Sequence, residues 1–404
     1  MTIAATSLNI DDRRVRANVL RLAAAQALSG ANSIVVYATG AIIGSQLAPD
    51  PVLITFPISL FVVGMAIGTL PTGYVSRLYG RRTAFMWGTS FGIVAGLVGC
   101  WAILAGSFAL FSASTFLAGF YAAVSQSFRF AATDGASPAF RPRAISWVMA
   151  GGLFGGILGP QLVEFTMNFW QPYLFAVSFL GQAGFAAVSL VLLRGINLPK
   201  PTANDLKGGR PLLDIVTTPK FMIAALCGVV SYTLMNLVMT SAPLAMKMCG
   251  LSLTQSNYGI QWHVLGMFGP SFFTGSLIAR FGAPCVVATG LALTTIAAGV
   301  DLSGQSVWHF WIGLTLLGFG WNFGFIGASA MIVETHRPEE RNKVQSFNDF
   351  LVFGTMALGS FSSGKLLTSF GWDVVNWVAF PPIVIALGAL ALTGFLRGRR
   401  VRSA

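Results

Sequence analysis

The sequence has few of the side chains with which enzymes do chemistry. Only 9% of the 404 residues are charged, 13 are acidic, three are histidines and four are cysteines. No pair of cysteines has metal-ligand spacing, and no phosphate-binding glycine loop is present. We also find no nucleophile accompanied by a base and a group that orients it. We therefore expect no catalytic residue, no metal site and no cofactor, and we do not expect an enzyme.

Apolar residues, in contrast, are abundant. They make up 54% of the chain, and the mean hydropathy is +0.71, which is too apolar for a water-soluble protein of this length. A helix needs about 20 apolar residues to cross roughly 30 Å of hydrocarbon. Such stretches lie near 19–46, 54–78, 83–104, 107–131, 144–166, 173–193, 221–246, 258–280, 284–303, 306–333, 344–369 and 373–396. We predict an all-α membrane protein with twelve transmembrane helices.

A polar stretch rich in proline and glycine separates these spans into two groups of six. The predicted parts are an N-terminal tail at 1–18, a six-helix bundle at 19–193, a cytoplasmic linker at 194–220, a second six-helix bundle at 221–396 and a C-terminal tail at 397–404. The first 18 residues lack the apolar core and cleavage site of a signal peptide. We expect them to be retained.

The two halves contain the same hinge sequence. Asp134–Ser146 and Glu334–Ser346 share the pattern acid-x-x-x-Pro-x-x-Arg-x-base-x-x-Ser, displaced by 334 − 134 = 200 residues. Gly73–Gly80 and Gly275–Gly282 repeat at 275 − 73 = 202 residues. The agreement indicates a duplication and two pseudo-symmetric halves.

Basic residues are distributed unequally in this topology. If the N-terminus is cytoplasmic, 23 of the 25 Lys and Arg residues lie on the cytoplasmic side, and only Lys247 and Lys365 lie outside. This bias satisfies the positive-inside rule and places both termini in the cytoplasm. Membrane topology and attraction to anionic lipid then explain the net charge of +12 without a nucleic acid.

Gly73–Arg82, with the sequence GYVSRLYGRR, is similar to the G-x-L-A-D-R-x-G-R-R motif of the major facilitator superfamily of secondary transporters. Together with the spans and repeated hinges, it resembles that superfamily over essentially the whole chain. The resemblance implies transport by alternating access, and we expect a monomer in a bacterial inner membrane. A channel or a receptor on the same fold would be the alternative. We find neither a ring of filter residues nor a soluble output domain.

The family's aspartate, which helps to close the cytoplasmic side, is Arg77 here. We expect the acids and bases of the hinges to serve as the gate instead. The gating candidates are Arg77, Arg81, Asp134, Arg141, Arg143, Arg280, Glu334, Arg341 and Lys343.

The resemblance also implies that the first and fourth spans of each half line the central path. Their polar and aromatic residues at mid-depth are the substrate-binding candidates: Gln26, Asn32, Tyr37, Tyr121, Gln126, Tyr232, Asn236, Trp321, Asn322 and Phe325. Taken singly, each polar residue is equally well explained as an interhelical hydrogen bond.

Ionisable groups inside the spans are few. Asp349 is the first candidate for proton coupling and His263 the second, although either also suits a structural role. We expect Arg129 to extend to the interface and Asp301 to lie at headgroup level. The glycines between Gly151 and Gly159 are interpreted as a small-residue stripe for close helix packing, although they also resemble a motif of proton antiporters.

The substrate-binding candidates are mainly aromatic rings and amides, without lysine or arginine. They favour a planar, mostly uncharged organic solute held by stacking and a few hydrogen bonds. Gly318–Gly324 and Ser346–Gly354 resemble a bacterial branch of the superfamily that includes riboflavin-uptake proteins. The sequence therefore predicts uptake of a solute such as riboflavin. The alternative is proton-coupled efflux of drugs or metabolites.

Overall fold

The computed structural model describes residues 2–50, 53–199, 201 and 209–402. We number its helices α1 Thr2–Leu47, α2 Phe56–Tyr79, α3 Arg81–Leu104, α4 Phe108–Gln126, α5 Phe128–Ala131, α6 Arg141–Thr166, α7 Ala176–Arg194, α8 Leu212–Val216, α9 Pro219–Met248, α10 Leu253–Phe268, α11 Ser271–Phe281, α12 Ala283–Ser303, α13 Val307–Val333, α14 Arg341–Trp377 and α15 Phe380–Arg402. A short 3₁₀ helix, Pro338–Glu340, precedes α14. These described residues contain no β-strand, and the prediction of an all-α membrane protein is confirmed.

Eleven stretches of the described residues are long and apolar enough to cross a membrane. Ten of them correspond to the first ten predicted spans. The eleventh, Lys365–Leu392, covers parts of the predicted spans 344–369 and 373–396. The first part of α14 is more polar because it carries residues such as Asn348 and Asp349, and the backbone of α14 breaks at Gly371, where φ is +85°.

The chain forms two compact units, which we describe separately. Unit 1 comprises Met1–Pro211 together with Arg337–Phe350, and unit 2 comprises Leu212–His336 together with Leu351–Ala404. The helix α14 therefore begins in unit 1 and continues into unit 2. The predicted bundle boundaries at 19–193 and 221–396 stay predictions.

In unit 1, α1 and α6 pack with their backbones in close contact. A Cβ atom at Gly151 would lie 2.2 Å from the Ala23 carbonyl oxygen, and one at Gly155 would lie 2.8 Å from the Ala27 oxygen. Glycine is needed at such positions because any side chain would force the helices apart. The interpretation of these glycines as a packing stripe is confirmed.

Unit 2 is built around α13, most of whose central residues are buried. Helix α12 packs along it through glycines of both helices, and a Cβ atom at Gly290 would lie 2.5 Å from the Gly324 backbone nitrogen. On another side, Gly324 leaves room for Ser231 of α9. These close approaches fix the position of the aromatic residues on α13.

Candidate functional site

Asp134 is the centre of a buried ion cluster in unit 1. Arg81 Nε lies 2.8 Å from Asp134 Oδ2, and Arg341 Nη1 lies 3.4 Å from Asp134 Oδ1. The Arg81 contact is an ion pair rather than a well-aligned hydrogen bond. Arg81 also donates from Nη2 to Gln345 Oε1 at 2.6 Å. The Asp134 cluster, made of these four residues, brings three of the gating candidates together.

A second buried ion pair joins Arg129 to Asp349. Arg129 Nη2 lies 2.5 Å from Asp349 Oδ1, and the Asn348 amide donates to the same oxygen at 3.1 Å. Arg129 Nη1 donates to the backbone carbonyl of Gln126, and the guanidinium carbon lies 4.3 Å from the centre of the Phe130 ring. Both charged side chains are almost fully buried. The expectation that Arg129 extends to the interface is wrong, because its charge is compensated inside the protein.

Asp349 and Arg81 also line a small polar cleft in unit 1. Its other lining residues are Thr69, Thr72, Gly73, Ser76, Ala123, Ser127, Asn342, Gln345 and Ser346. The space has room for about one water molecule. It is too small for an organic solute, so it belongs with the ion pairs rather than with a substrate site.

Glu340, which sequence analysis did not select, is the buried acid of the second hinge. The Arg210 side chain donates to both of its carboxylate oxygens, from Nε at 2.8 Å and from Nη2 at 2.7 Å. The backbone N–H groups of Arg210 and Arg337 donate to the same carboxylate at 3.0 and 2.9 Å. The Arg210 side chain is the main cause that lowers the pKa of Glu340 to about 2.

The predicted gating bases outside these clusters have other contacts. Arg141 Nε donates to the Ala136 carbonyl at 3.3 Å, and Lys343 Nζ donates to the Arg210 carbonyl. In unit 2, Arg280 lies over the Phe281 ring.

Three gating candidates remain. Arg77 is in the last turn of α2, next to Ser76 of the polar cleft. Arg143 and Glu334 are exposed, and the ion pairs found among the described residues of either unit do not include them.

In unit 2, three substrate-binding candidates meet in one aromatic cluster. Tyr232 of α9 packs edge-on against Trp321 and Phe325 of α13, with ring centres 5.5 and 4.9 Å apart, while Trp321 and Phe325 stack at 20°. Two further rings, Phe268 and Phe353, complete the cluster at 5.6 Å from Trp321 and 5.3 Å from Tyr232. We call these five residues the Trp321 cluster.

Two buried N–H groups belong to this region. Asn236 lies one turn after Tyr232 on α9, so the two share a helix face. Asn236 Nδ2 and Trp321 Nε1 are both buried, and neither has an acceptor among the described residues. Each is therefore a donor available to a ligand.

Asn322 has a different environment. Its Nδ2 donates to the Met267 carbonyl and to Ser271 Oγ, both at 2.6 Å, and its Oδ1 accepts from Thr274 Oγ1 at 2.6 Å. Both amide hydrogens are used to hold α13 against the break between α10 and α11. Asn322 thus makes interhelical hydrogen bonds, which sequence analysis had given as the alternative to substrate binding.

The substrate-binding candidates of unit 1 are spread along α1 and α4. Gln26 packs near Gly151, and Tyr37 lies edge-on to Phe61 with ring centres 5.3 Å apart. Asn32 is buried, and neither polar atom of its side chain has a partner among the described residues.

On α4, the Tyr121 ring packs against Gly92 of α3, where a Cβ atom would lie 2.5 Å from it. Gln126 contacts Arg129, so it lies beside the buried ion pair. The structure therefore places Gln126 next to the Arg129–Asp349 pair of unit 1.

Two further ionisable groups inside the spans, His263 and Asp301, are buried. His263 Nδ1 lies 2.7 Å from the Leu314 carbonyl oxygen. Asp301 lies two residues from the end of its span and is 2% exposed, and its position at headgroup level stays a prediction. Its carboxylate packs directly against Gly313 of α13.

Comparison with known proteins agrees with this architecture. The family model of the Major Facilitator Superfamily matches residues 22–270 and 225–403. The riboflavin transporter RfnT of Brucella anthropi is 47% identical over 387 residues, which cover 95% of this chain and 97% of that protein. The uncharacterized MFS-type transporter YdeG of Bacillus subtilis is 28% identical over 93% of this chain and 90% of its own length.

Two solved structures share the fold. The proton:xylose symporter XylE bound to 6-bromo-6-deoxy-D-glucose superimposes with a TM-score of 0.80 at 15% identity, over 95% of this chain and 96% of that one. The human organic anion transporter MFSD10 gives a TM-score of 0.75 at 16% identity, over 93% and 99%. From its twofold match to the family model and its nearly full-length relatives, we conclude that the chain belongs to the Major Facilitator Superfamily and is a transporter rather than an enzyme.

Proposed function

We propose that this protein takes up riboflavin across the inner membrane of a bacterium by alternating access. The observation that carries the proposal is the 47% identity to a riboflavin transporter over nearly the full length of both chains. Both termini are cytoplasmic in this proposal, and the protein works as a monomer.

The Trp321 cluster supports a planar aromatic substrate. Aromatic faces hold a flat ring by stacking and edge contacts, and the cluster contains no charged side chain. Riboflavin has a flat ring system with carbonyl groups at one end and a polyol tail. Its carbonyl oxygens are suitable acceptors for the N–H groups of Trp321 and Asn236, which are buried without an acceptor in the described part of unit 2.

The Asp134 cluster and the Arg129–Asp349 pair support a gate made of reversible ion pairs. Together they connect the segment Arg337–Phe350 to the start of α3, to α5 and to the turn after α5. In this proposal they break and form again during the transport cycle. Because Arg77 replaces the family's acid, Asp134 and Asp349 supply the negative charge of the gate.

Uptake against a gradient needs a driving ion. The sequence selected Asp349 and His263 for this role, and both are buried titratable groups. If Asp349 carries the driving proton, its ion pair with Arg129 must open before the proton can bind.

Riboflavin counterflow in proteoliposomes tests the proposal. Vesicles containing the purified protein and loaded with unlabelled riboflavin should take up labelled riboflavin faster than protein-free vesicles. A second assay is growth of a riboflavin auxotroph that lacks its own importer, with an empty vector as control. Absence of both counterflow and growth at low riboflavin would contradict the proposal, and resistance of the cells to apolar toxic compounds would then favour efflux.

A further inference from the structure

Asp301 is a buried carboxylate without a counter-charge. It lies two residues before the C-terminal end of α12. Neither of its oxygens is accessible to solvent, and neither has a hydrogen-bond donor among the described residues. An ionised carboxylate in such a place loses its hydration without compensation.

The position on the helix disfavours the anion further. The C-terminal end of a helix carries the negative end of the helix dipole, which repels a carboxylate. The last turn of α12 contains no basic residue that would offset this effect. Burial and dipole therefore both favour the neutral, protonated carboxyl group.

Gly313 of α13 makes room for this carboxyl group. A Cβ atom at Gly313 would lie 2.0 Å from Asp301 Oδ1 and 2.6 Å from Cγ. The side chain thus lies between two helices at the α12–α13 contact, and it is shielded from water only while these helices remain in contact.

The titratable groups on the neighbouring helices do not neutralise Asp301. His309 lies one turn before Gly313 on α13, and its Nδ1 contacts Ser306 Oγ at 2.8 Å. Lys247 is exposed at the end of α9, and Arg280 of α11 lies beside the N-terminal end of α12. The described side chains of α15, from Phe380 to Leu392, include no ionisable group.

We propose that Asp301 is a proton-binding site of the transport cycle. When the α12–α13 contact opens to water on one side of the membrane, the carboxylate accepts a proton from that water. The neutral carboxyl group is then buried as the contact closes, and its O–H bond breaks when the group next meets water on the opposite side, so that the proton crosses the membrane with the solute. Because this inference assigns a driving ion to riboflavin uptake, it rests on the proposed function.

Helix α13 connects this site with the substrate candidates. Gly313 and Trp321 are eight residues apart on it, or about 12 Å of helix rise. A shift of α13 on substrate binding would therefore change the packing over Asp301.

The test compares full-length wild-type protein, Asp301→Asn and the control Glu164→Gln in proteoliposomes. Glu164 is an exposed acid near the end of α6 and belongs to neither cluster. Riboflavin counterflow without a pH gradient measures exchange, and accumulation under an inward proton gradient measures coupling. We expect Asp301→Asn to keep counterflow and to lose gradient-driven accumulation, and Glu164→Gln to keep both. Accumulation by Asp301→Asn at the wild-type level, or a wild type that does not respond to the gradient, would overturn the proposal.

An infrared measurement separates this inference from the proposed function. Wild-type protein at neutral pH should show the C=O band of a protonated carboxyl group, and Asp301→Asn should lack it. Absence of the band from wild type would overturn the assignment of Asp301 as a proton-binding site. This outcome depends on wild-type protein alone, so it holds even where Asp301→Asn does not fold. Absence of wild-type counterflow with the band present would instead contradict riboflavin transport alone.

Discussion

Arg210 and Glu340 form a two-point ion pair in which only the arginine reaches solvent. The side chain of Arg210 is 38% exposed and that of Glu340 is 0% exposed. Arg210 lies within the predicted linker, 194–220, and Glu340 directly precedes α14. Within unit 1, this pair therefore fixes the linker to the start of the helix that carries Asp349.

Replacing Glu340 by Gln should destabilise the protein at neutral pH. The substitution removes charge-assisted hydrogen bonds to an arginine that stays partly hydrated, which costs about 1.5–3 kcal/mol. Because Arg210 lowers the pKa of Glu340 from 4.5 to about 2, the stabilisation is present above pH 4.5 and is lost as the pH falls toward 2. The unfolding temperature in detergent, measured against pH, checks this. Between pH 4.5 and 2, the difference in unfolding temperature between wild type and Glu340→Gln should shrink, whereas Glu339→Gln should unfold like wild type at every pH. A difference that stays constant with pH would show that the Arg210–Glu340 pair does not cause the destabilisation.

Replacing Arg341 by Glu should shift the gate. The new carboxylate would lie beside Asp134 and repel it, whereas the original pair is worth roughly 1 kcal/mol. We expect about a fivefold change in the ratio of the two transport conformations, measured from spin-label distances on the cytoplasmic side. Arg194→Glu, at the exposed end of α7, is the matched control. Equal ratios in the two variants would argue against a gating role of Arg341.

Replacing Trp321 by Ala should weaken riboflavin binding. The change removes one N–H donor and the stack with Phe325, and an aromatic pair contributes about 0.5–1.5 kcal/mol. We expect about a tenfold higher riboflavin concentration for half-maximal counterflow. Trp308→Ala, on the same helix but 63% exposed, should behave like wild type. An unchanged half-maximal concentration in Trp321→Ala would place the substrate elsewhere.

Replacing Asp349 by Asn should reduce counterflow and gradient-driven accumulation together. The substitution leaves the buried Arg129 charge without its partner, so the gate itself is damaged. The rates of counterflow and of gradient-driven accumulation in proteoliposomes decide whether Asp349 serves the gate or the coupling to protons. Loss of accumulation with counterflow intact would instead support the coupling role that the sequence suggested.

Replacing Gly151 by Ala should destabilise unit 1. The new methyl group would meet the Ala23 carbonyl oxygen, and overpacking of this kind costs about 1–3 kcal/mol. Gly184→Ala on α7 is the control, because a Cβ atom there meets nothing within 4 Å. Thermal unfolding in detergent should show a lower midpoint for Gly151→Ala only. Equal midpoints would mean that α1 and α6 separate without cost.

The sequence by itself determined the membrane fold, the family and the transporter class. These properties depend on the length of apolar runs, on a repeated hinge and on short motifs, all of which are local in the chain. It also selected Asp134 and Arg341 as gating candidates, because each copy of the duplicated hinge carries an acid and an arginine, although it did not predict that these two residues pair with each other.

Only the tertiary structure decided which charges are buried and with which partners. Arg129 and Asp349 are 220 residues apart, and Phe268 and Phe353 join the Trp321 cluster from two different helices. Sequence analysis selected Glu334 as the acid of the second hinge, whereas the structure shows that Glu340 is buried in an ion pair with Arg210 of the linker. Asp301 was expected at headgroup level because it lies near the end of a span, and only the structure shows that it is buried there, because Gly313 lets α13 pack over it. Burial depends on which surfaces of distant helices meet, and the pattern of a single helix does not contain that information.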